Sequence, residues 1–379
     1  MSYLDIIRGI REIYQTKNDF IPLHEPKFNG NEKKYVLDAI DSTYVSSVGK
    51  YVDLFEQKII EYTSAKYAIA VVNGTSALHI SLKLVGVSNG DLVITQPLSF
   101  VATCNAISYL GASPAFIDVD INTIGMSSFS LLNFLEKVQL VDGIPYHVYS
   151  GKRIGACVPM HTFGIPCEID KIVELCSMYN IPVVEDAAES IGSIFKNKHT
   201  GTFGNIGIYS FNGNKTITAG GGGIIVTNDQ NIAKKAKHIT TQAKLPHRWD
   251  YDHDEIGYNY RCPNLNSALV CAQLENIEEF IQNKRETHSS YKNLFENSNV
   301  RLIEEPVNCR SNYWLNAILF NDKIERDEFL NLSNNLGVMT RPTWKLLSKL
   351  KMYENCIQEE LTNSSYIADR LVNIPSSIR

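Results

Sequence analysis

Residues 67–84 read YAIAVVNGTSALHISLKL: a short apolar run, a turn at Asn73 and Gly74, and then apolar positions at helical spacing. A strand that feeds a helix through so short a turn is the first half of a βαβ unit. The alternation continues through LVITQ (92–96), VATCNAISYL (101–110), AFIDVD (115–120) and IGACVPM (154–160). It goes on through EIDKIVELCSMYN (168–180), PVVEDA (182–187), IGIYSF (206–211), GIIVTN (223–228) and QNIAKKAKHI (230–239). Such repetition predicts an α/β fold, a mostly parallel sheet with helices on both faces, and places ligand sites at the carboxyl ends of the strands.

On the N-terminal side, residues 1–20 carry charges through their apolar positions and read as an amphipathic helix. IPLHEPKFNG (21–30), with Pro22, Pro26 and Gly30, reads as an extended strap, and NEKKYVLDAIDS (31–42) as a helix. From about residue 251 the texture changes to one long helical pattern (266–297), a strand candidate YWLNAILF (313–320) and two further helical patterns. This predicts three regions: a helix over 1–20, a large α/β domain over 21–250, and a smaller C-terminal α+β domain over 251–379.

The 379 residues are 44% hydrophobic and 20% charged, the mixture of a globular protein with a sizeable core. Thirty-six lysines and arginines against 41 aspartates and glutamates give a net charge of −5 without long runs of either sign, which excludes attraction of nucleic acid by bulk charge. The eight cysteines form no CxxC pair, so buried free thiols are expected and no metal site is. The N-terminal segment lacks a signal-peptide pattern, and no apolar stretch reaches the ~18 residues that span a bilayer. A cytoplasmic protein is expected.

Three segments carry chemistry. In the first, Gly74, Thr75 and Ser76 open a helix, where unpaired amides and the positive dipole end suit a phosphate; the same hydroxyls also serve as ordinary helix caps. In the second, Glu185 and Asp186 end an apolar strand, either facing a ligand or capping the following AAES turn. The third, SFNGNKTITAGGGGIIVTND (210–229), sets Ser210 and Lys215 before four consecutive glycines, Gly220 to Gly223. Glycine fills no volume and costs backbone entropy, so such a run points to close approach of backbone to a ligand or neighbour. The spacing lacks the GxxxxGK of a nucleotide-binding loop. A lysine amine, a strand-end carboxylate and a phosphate cup are together what pyridoxal phosphate requires.

The order GTSAL, EDAAES, SFNGNK with its glycine tail, and GYNYR resembles the DegT/DnrJ/EryC1/StrS family of sugar aminotransferases, of fold type I, from about Ile21 to the closing NIPSSIR. That resemblance implies pyridoxal phosphate bonded to Lys215, Asp186 at its pyridine nitrogen, and Ser210 with Thr75 and Ser76 at its phosphate. It sets Phe100 in QPLSFVAT against the ring. Glu189 stands where many relatives carry glutamine or histidine near the cofactor hydroxyl. Asn259 and Arg261 match residues contributed across a homodimer interface to the phosphate or to the donor's carboxylate. Ser46, Ser47 and Lys50 resemble a substrate-facing strap, while His161, Arg341 and Trp344 are further substrate-site candidates. The implied reaction moves an amino group from L-glutamate to a nucleotide-linked 4-keto-6-deoxy sugar. IPLHEPKFNGNEKKYV, DSTYVSSVGK and TRPTWK most resemble the branch acting on UDP-4-keto-6-deoxy-N-acetylglucosamine, with the same chemistry on GDP- or dTDP-linked sugars, or a pyridoxal-phosphate-binding protein without transaminase activity, as the alternatives. Relatives that dehydrate replace the lysine by histidine, and Lys215 argues against that activity.

Overall fold

The computed structural model describes residues 1–379. Seven strands build the body of the main sheet: β1 (Tyr67–Val71), β2 (Leu92–Thr95), β3 (Ser113–Phe116), β4 (Ile154–Val158), β5 (Val184–Asp186), β6 (Ile206–Ser210) and β7 (Gly223–Thr227), with Ile357–Gln358 pairing parallel to β3 as a short eighth strand at the edge. Strand β7 lies between β1 and β6, β6 pairs with β5, and β2 lies between β3 and β4. Parallel bridges from Cys157 to Val183 and from Met160 to Asp186 join the halves, giving the order β1-β7-β6-β5-β4-β2-β3. Only β7 runs antiparallel to its neighbours. Its connection from β6 spans residues 211–222 and contains no helix, so the chain returns as a hairpin rather than by a crossover. That hairpin connection carries Lys215.

Twelve helices surround the sheets: α1 (Tyr3–Ile13), α2 (Glu32–Asp41), α3 (Lys50–Thr63), α4 (Gly74–Leu84), α5 (Val101–Tyr109), α6 (Ser128–Leu135), α7 (Ile169–Met178), α8 (Gln230–Thr240), α9 (Asn264–Glu275), α10 (Ile277–Phe295), α11 (Lys323–Asn335) and α12 (Thr362–Arg370). Side chains alternate across the sheet, so Ile224 of β7 joins Phe55 and Val270 in one core while Ile225 joins Leu78 and Ile239 in the other. Both faces of the sheet are therefore covered. No helix is long and apolar enough to cross a membrane. All eight cysteines are free, six of them buried.

A second sheet, all antiparallel, contains β8 (Arg301–Leu302), β9 (Asn316–Leu319), β10 (Arg341–Pro342) and β11 (Leu371–Ile374) in the order β8-β9-β11-β10. Ile6, Ile7 and Ile10 of α1 pack here with Tyr291, Phe329 and Val372, which makes the N-terminal helix part of the smaller unit. The expected single helix over 266–297 is two, divided at Asn276. Helix α9 packs on α2 and α3, and Ile277, Phe280 and Ile281 of α10 remain in the large core. The chain thus crosses between the cores within α10, well after the boundary expected near residue 251, because the apolar positions of 264–281 face the large sheet's helices.

Candidate active site

The carboxyl ends of β5 and β6, the N-termini of α4 and α5, and the β6–β7 connection surround a cleft of about 440 Å³. At the start of α4, extended Asn73 caps the helix by accepting from the Ser76 amide at 2.8 Å. The amides of Gly74 and Thr75 have no acceptor within the helix and remain available to an anion. Ser210, at the end of β6, closes the other side of this cup: a Cβ built on Gly74 would stand 2.8 Å from its Cβ. Gly223 is pressed beneath the Asn73 backbone, where a Cβ would collide with it. Part of the glycine run is thereby explained by the packing of β7 against the helix opening.

Asp186 lies deeper in the cleft, 3% exposed. Its Oδ2 accepts from Thr103 Oγ1 at 2.7 Å and its Oδ1 from the Ala188 amide at 3.2 Å. Burial raises its pKa against the opposing effect of these bonds and of Lys215. A buried carboxylate so placed suits a cationic ring nitrogen, which would restore its charged form. Lys215 Nζ points into the same cleft, 3.2 Å from Glu189 Oε1 and 4.0 Å from the centroid of the Trp314 ring. These groups fit pyridoxal phosphate: amides and a hydroxyl for the phosphate, a buried acid for the pyridine nitrogen, and an amine for the aldehyde.

Glu189 is buried, and its Oε2 accepts from the Phe163 amide at 2.9 Å. That amide is aimed by an uncommon backbone conformation, φ +56° at a buried phenylalanine, followed by Gly164 at φ +90°. Burial pushes Glu189 up to about 7, against the pull of Lys215. A carboxyl raised in this way binds its proton more tightly in the folded state, so folding stability falls as pH rises from about 4.5 to about 7 and levels off above. The window corresponds to a contribution on the order of 3 kcal/mol. Glu189→Gln should remove this share of the slope, read as a smaller difference between unfolding free energies at pH 5 and pH 8 in urea titrations. An unchanged difference would contradict the assignment.

The cleft brings together Gly74, Thr75, Phe100, Asp186, Glu189, Ser210, Lys215 and Trp344 of the expected residues. Ser76 lies beside them as the capped amide, and Phe100 is half exposed at the start of α5. His161 is fully buried outside the cleft lining, with Nε2 3.1 Å from Glu185 Oε2 and Nδ1 accepting from the Cys167 amide at 3.3 Å, the arrangement of a satisfied core histidine. Glu185 is likewise committed, accepting from the amides of Gly201, Phe203 and Gly204. The pair fixes the loop behind β5. Arg341 lies outside the cleft lining, exposed on the small sheet, with Nη1 donating to Asn334 Oδ1 at 3.0 Å and to the carbonyl of Thr340. Ser46, Ser47 and Lys50 stand outside this chain's cleft, with Lys50 paired to Asp38 at 2.7 Å and Ser46 pinned through its carbonyl to Asn264. Asn259 and Arg261 also lie outside it, bridged through their backbones to Thr241 and Val71.

Sequence reasoning missed Trp314, Thr103 and Asn214 in the lining. Thr103 carried a signal, since it follows Phe100 by one helical turn and must share its face. Trp314 carried none, because SNYWLN reads as the lead into a strand.

A family model of DegT/DnrJ/EryC1/StrS aminotransferases matches residues 26–379. The chain belongs to this family. It is a pyridoxal-phosphate-dependent sugar aminotransferase of fold type I. It is 39% identical over 357 residues to GDP-perosamine synthase of Escherichia coli O157:H7, covering 94% of this chain and 93% of that one. To GDP-perosamine synthase of Vibrio cholerae it is 34% identical, covering 94% of each. Helicobacter pylori PseC, an aminotransferase involved in the biosynthesis of pseudoaminic acid, shares the fold with a TM-score of 0.85 at 23% identity, covering 94% of each chain.

Proposed function

We propose that this aminotransferase transfers the amino group of L-glutamate to the 4-keto carbon of a nucleotide-linked 4-keto-6-deoxy sugar. Lys215 and Asp186 sharing one cleft with the α4 amides is the observation that carries the reading. When bound, pyridoxal phosphate supplies an electron sink for the pair left behind as a substrate carbon gives up its proton. The amides of Gly74 and Thr75, with Ser210, hold the phosphate, and Asp186 keeps a proton at the pyridine nitrogen. Lys215 Nζ takes the proton from the donor's α-carbon and returns one on the other side of the transfer. Phe100 would cover one face of the ring, and Trp344, which also lines the cleft, would contact the acceptor.

Relatives named GDP-perosamine synthase support a GDP-linked acceptor over the UDP-linked sugar suggested by the strap motifs. Steady-state amination of GDP-, UDP- and dTDP-linked 4-keto-6-deoxy sugars should give kcat/KM at least roughly tenfold higher for the GDP-linked compound, a difference that a few base contacts supply. A preference for the UDP-linked sugar would restore the motif-based reading. Neither Asn259 nor Arg261 serves its own chain's cleft, which supports a homodimer in which each chain delivers both to its partner. Leu37, Ile40, Tyr44 and Val48, exposed on α2 and the strap, supply an apolar face for such pairing.

A further inference from the structure

One side chain holds Lys215 at both ends. The lysine Nζ lies over the Trp314 ring, and the indole Nε1–H donates at 2.7 Å to the carbonyl of Asn214, the residue before the lysine. Trp314 is itself fixed. It is 4% exposed, its amide donates to Asn312 Oδ1 at 2.8 Å, and its carbonyl accepts from buried Lys284 at 3.1 Å. Asn312 also donates to the Glu189 carbonyl at 2.9 Å, so a single asparagine sets both partners of the amine, the indole and the glutamate. An ammonium over an indole face is attracted by the ring's negative quadrupole, more strongly where water is excluded. A lysine on four flexible carbons otherwise samples many positions.

We propose that Trp314 is a positioning residue for Lys215: the indole face and the Glu189 carboxylate cradle the amine when it is free, and the indole N–H fixes the loop that carries it. The proposal rests on the reading of Lys215 as the reacting amine. Both halves of the transfer need that amine released yet poised near the substrate carbon. Loss of the cradle therefore slows chemistry without weakening substrate binding.

Trp314→Leu removes both face and N–H, whereas Trp314→Phe keeps a weaker face. Trp314→Leu should lower kcat about tenfold and Trp314→Phe about threefold, with KM for glutamate and for the sugar unchanged within about twofold. A rise in KM with kcat preserved would overturn the proposal and make Trp314 a substrate contact. A second measurement needs neither cofactor nor turnover: thermal unfolding of the apo-protein in a double-mutant cycle with Lys215→Met. Trp314→Leu should lower Tm less in the Lys215→Met background than in the wild type, by roughly 1–3 °C. Equal losses in the two backgrounds would show no coupling and overturn the proposal. Should the protein aminate no sugar, this cycle still decides the coupling, so failure of the functional reading and of the proposal remain distinct.

Discussion

Lys215→Ala is expected to reduce turnover by at least roughly 10,000-fold, since in the proposed reaction one substitution removes both the group that would bond the cofactor and the base that would move the proton. The fold should persist. The lysine sits in a connection between β6 and β7, and its removal vacates a lined cleft rather than a packed core. Its loss leaves Glu189 with only the Phe163 amide, and a carboxyl already raised by burial then takes up a proton instead of remaining charged. The variant should unfold within a few degrees of the wild type while amination disappears in the steady-state assay. Near-native turnover would remove Lys215 from the reaction and leave the cleft as a binding site.

Asp186→Asn should reduce turnover by roughly 100- to 1,000-fold, the rate equivalent of losing a buried charge-assisted partner. The side chain retains its shape: Oδ1 still accepts from the Ala188 amide, and Nδ2 donates to Thr103 Oγ1, whose hydroxyl turns from donor to acceptor, so geometry is preserved while the charge is lost. Asp186 has no cationic partner within hydrogen-bonding distance in the protein itself, which is why its burial raises its pKa. With asparagine in place, nothing would hold a proton at the pyridine nitrogen in the proposed reaction, and the electron sink would weaken. The reduction should appear in kcat, with KM for glutamate little altered. A variant with kcat unchanged would assign Asp186 to capping alone, the alternative that its AAES context left open.

Local pattern made much of this legible. The run from YAIAVV to GIIVTN places strands at 67–71, 92–95, 154–158 and 206–210 within a residue or two of their positions, because short β-branched runs bounded by turns have few other outcomes. The strand expected over 115–120 begins two residues earlier, where Ser113 and Pro114 extend β3 against β2. Lys215, Asp186 and the α4 opening were readable because each breaks a packing rule: a lysine among glycines, an acid ending an apolar strand, a hydroxyl turn opening a helix. Trp314, the left-handed Phe163 and the division at Asn276 were not readable, since each is decided by what the chain meets after folding. The sequence left His161 open between site and core for the same reason. A buried histidine paired to Glu185 and a histidine facing a substrate have the same sequence, and only the position of the second partner separates them.

The absorption spectrum of the purified protein with pyridoxal phosphate, before and after L-glutamate alone, reads out whether Lys215 bonds the cofactor and whether glutamate is the donor. A near-visible band from cofactor bonded to the protein is expected, absent in Lys215→Ala, that gives way on adding glutamate to the shorter-wavelength spectrum of the cofactor's amine form. A band that persists in Lys215→Ala, or one in the wild type that glutamate leaves unmoved, would contradict that expectation.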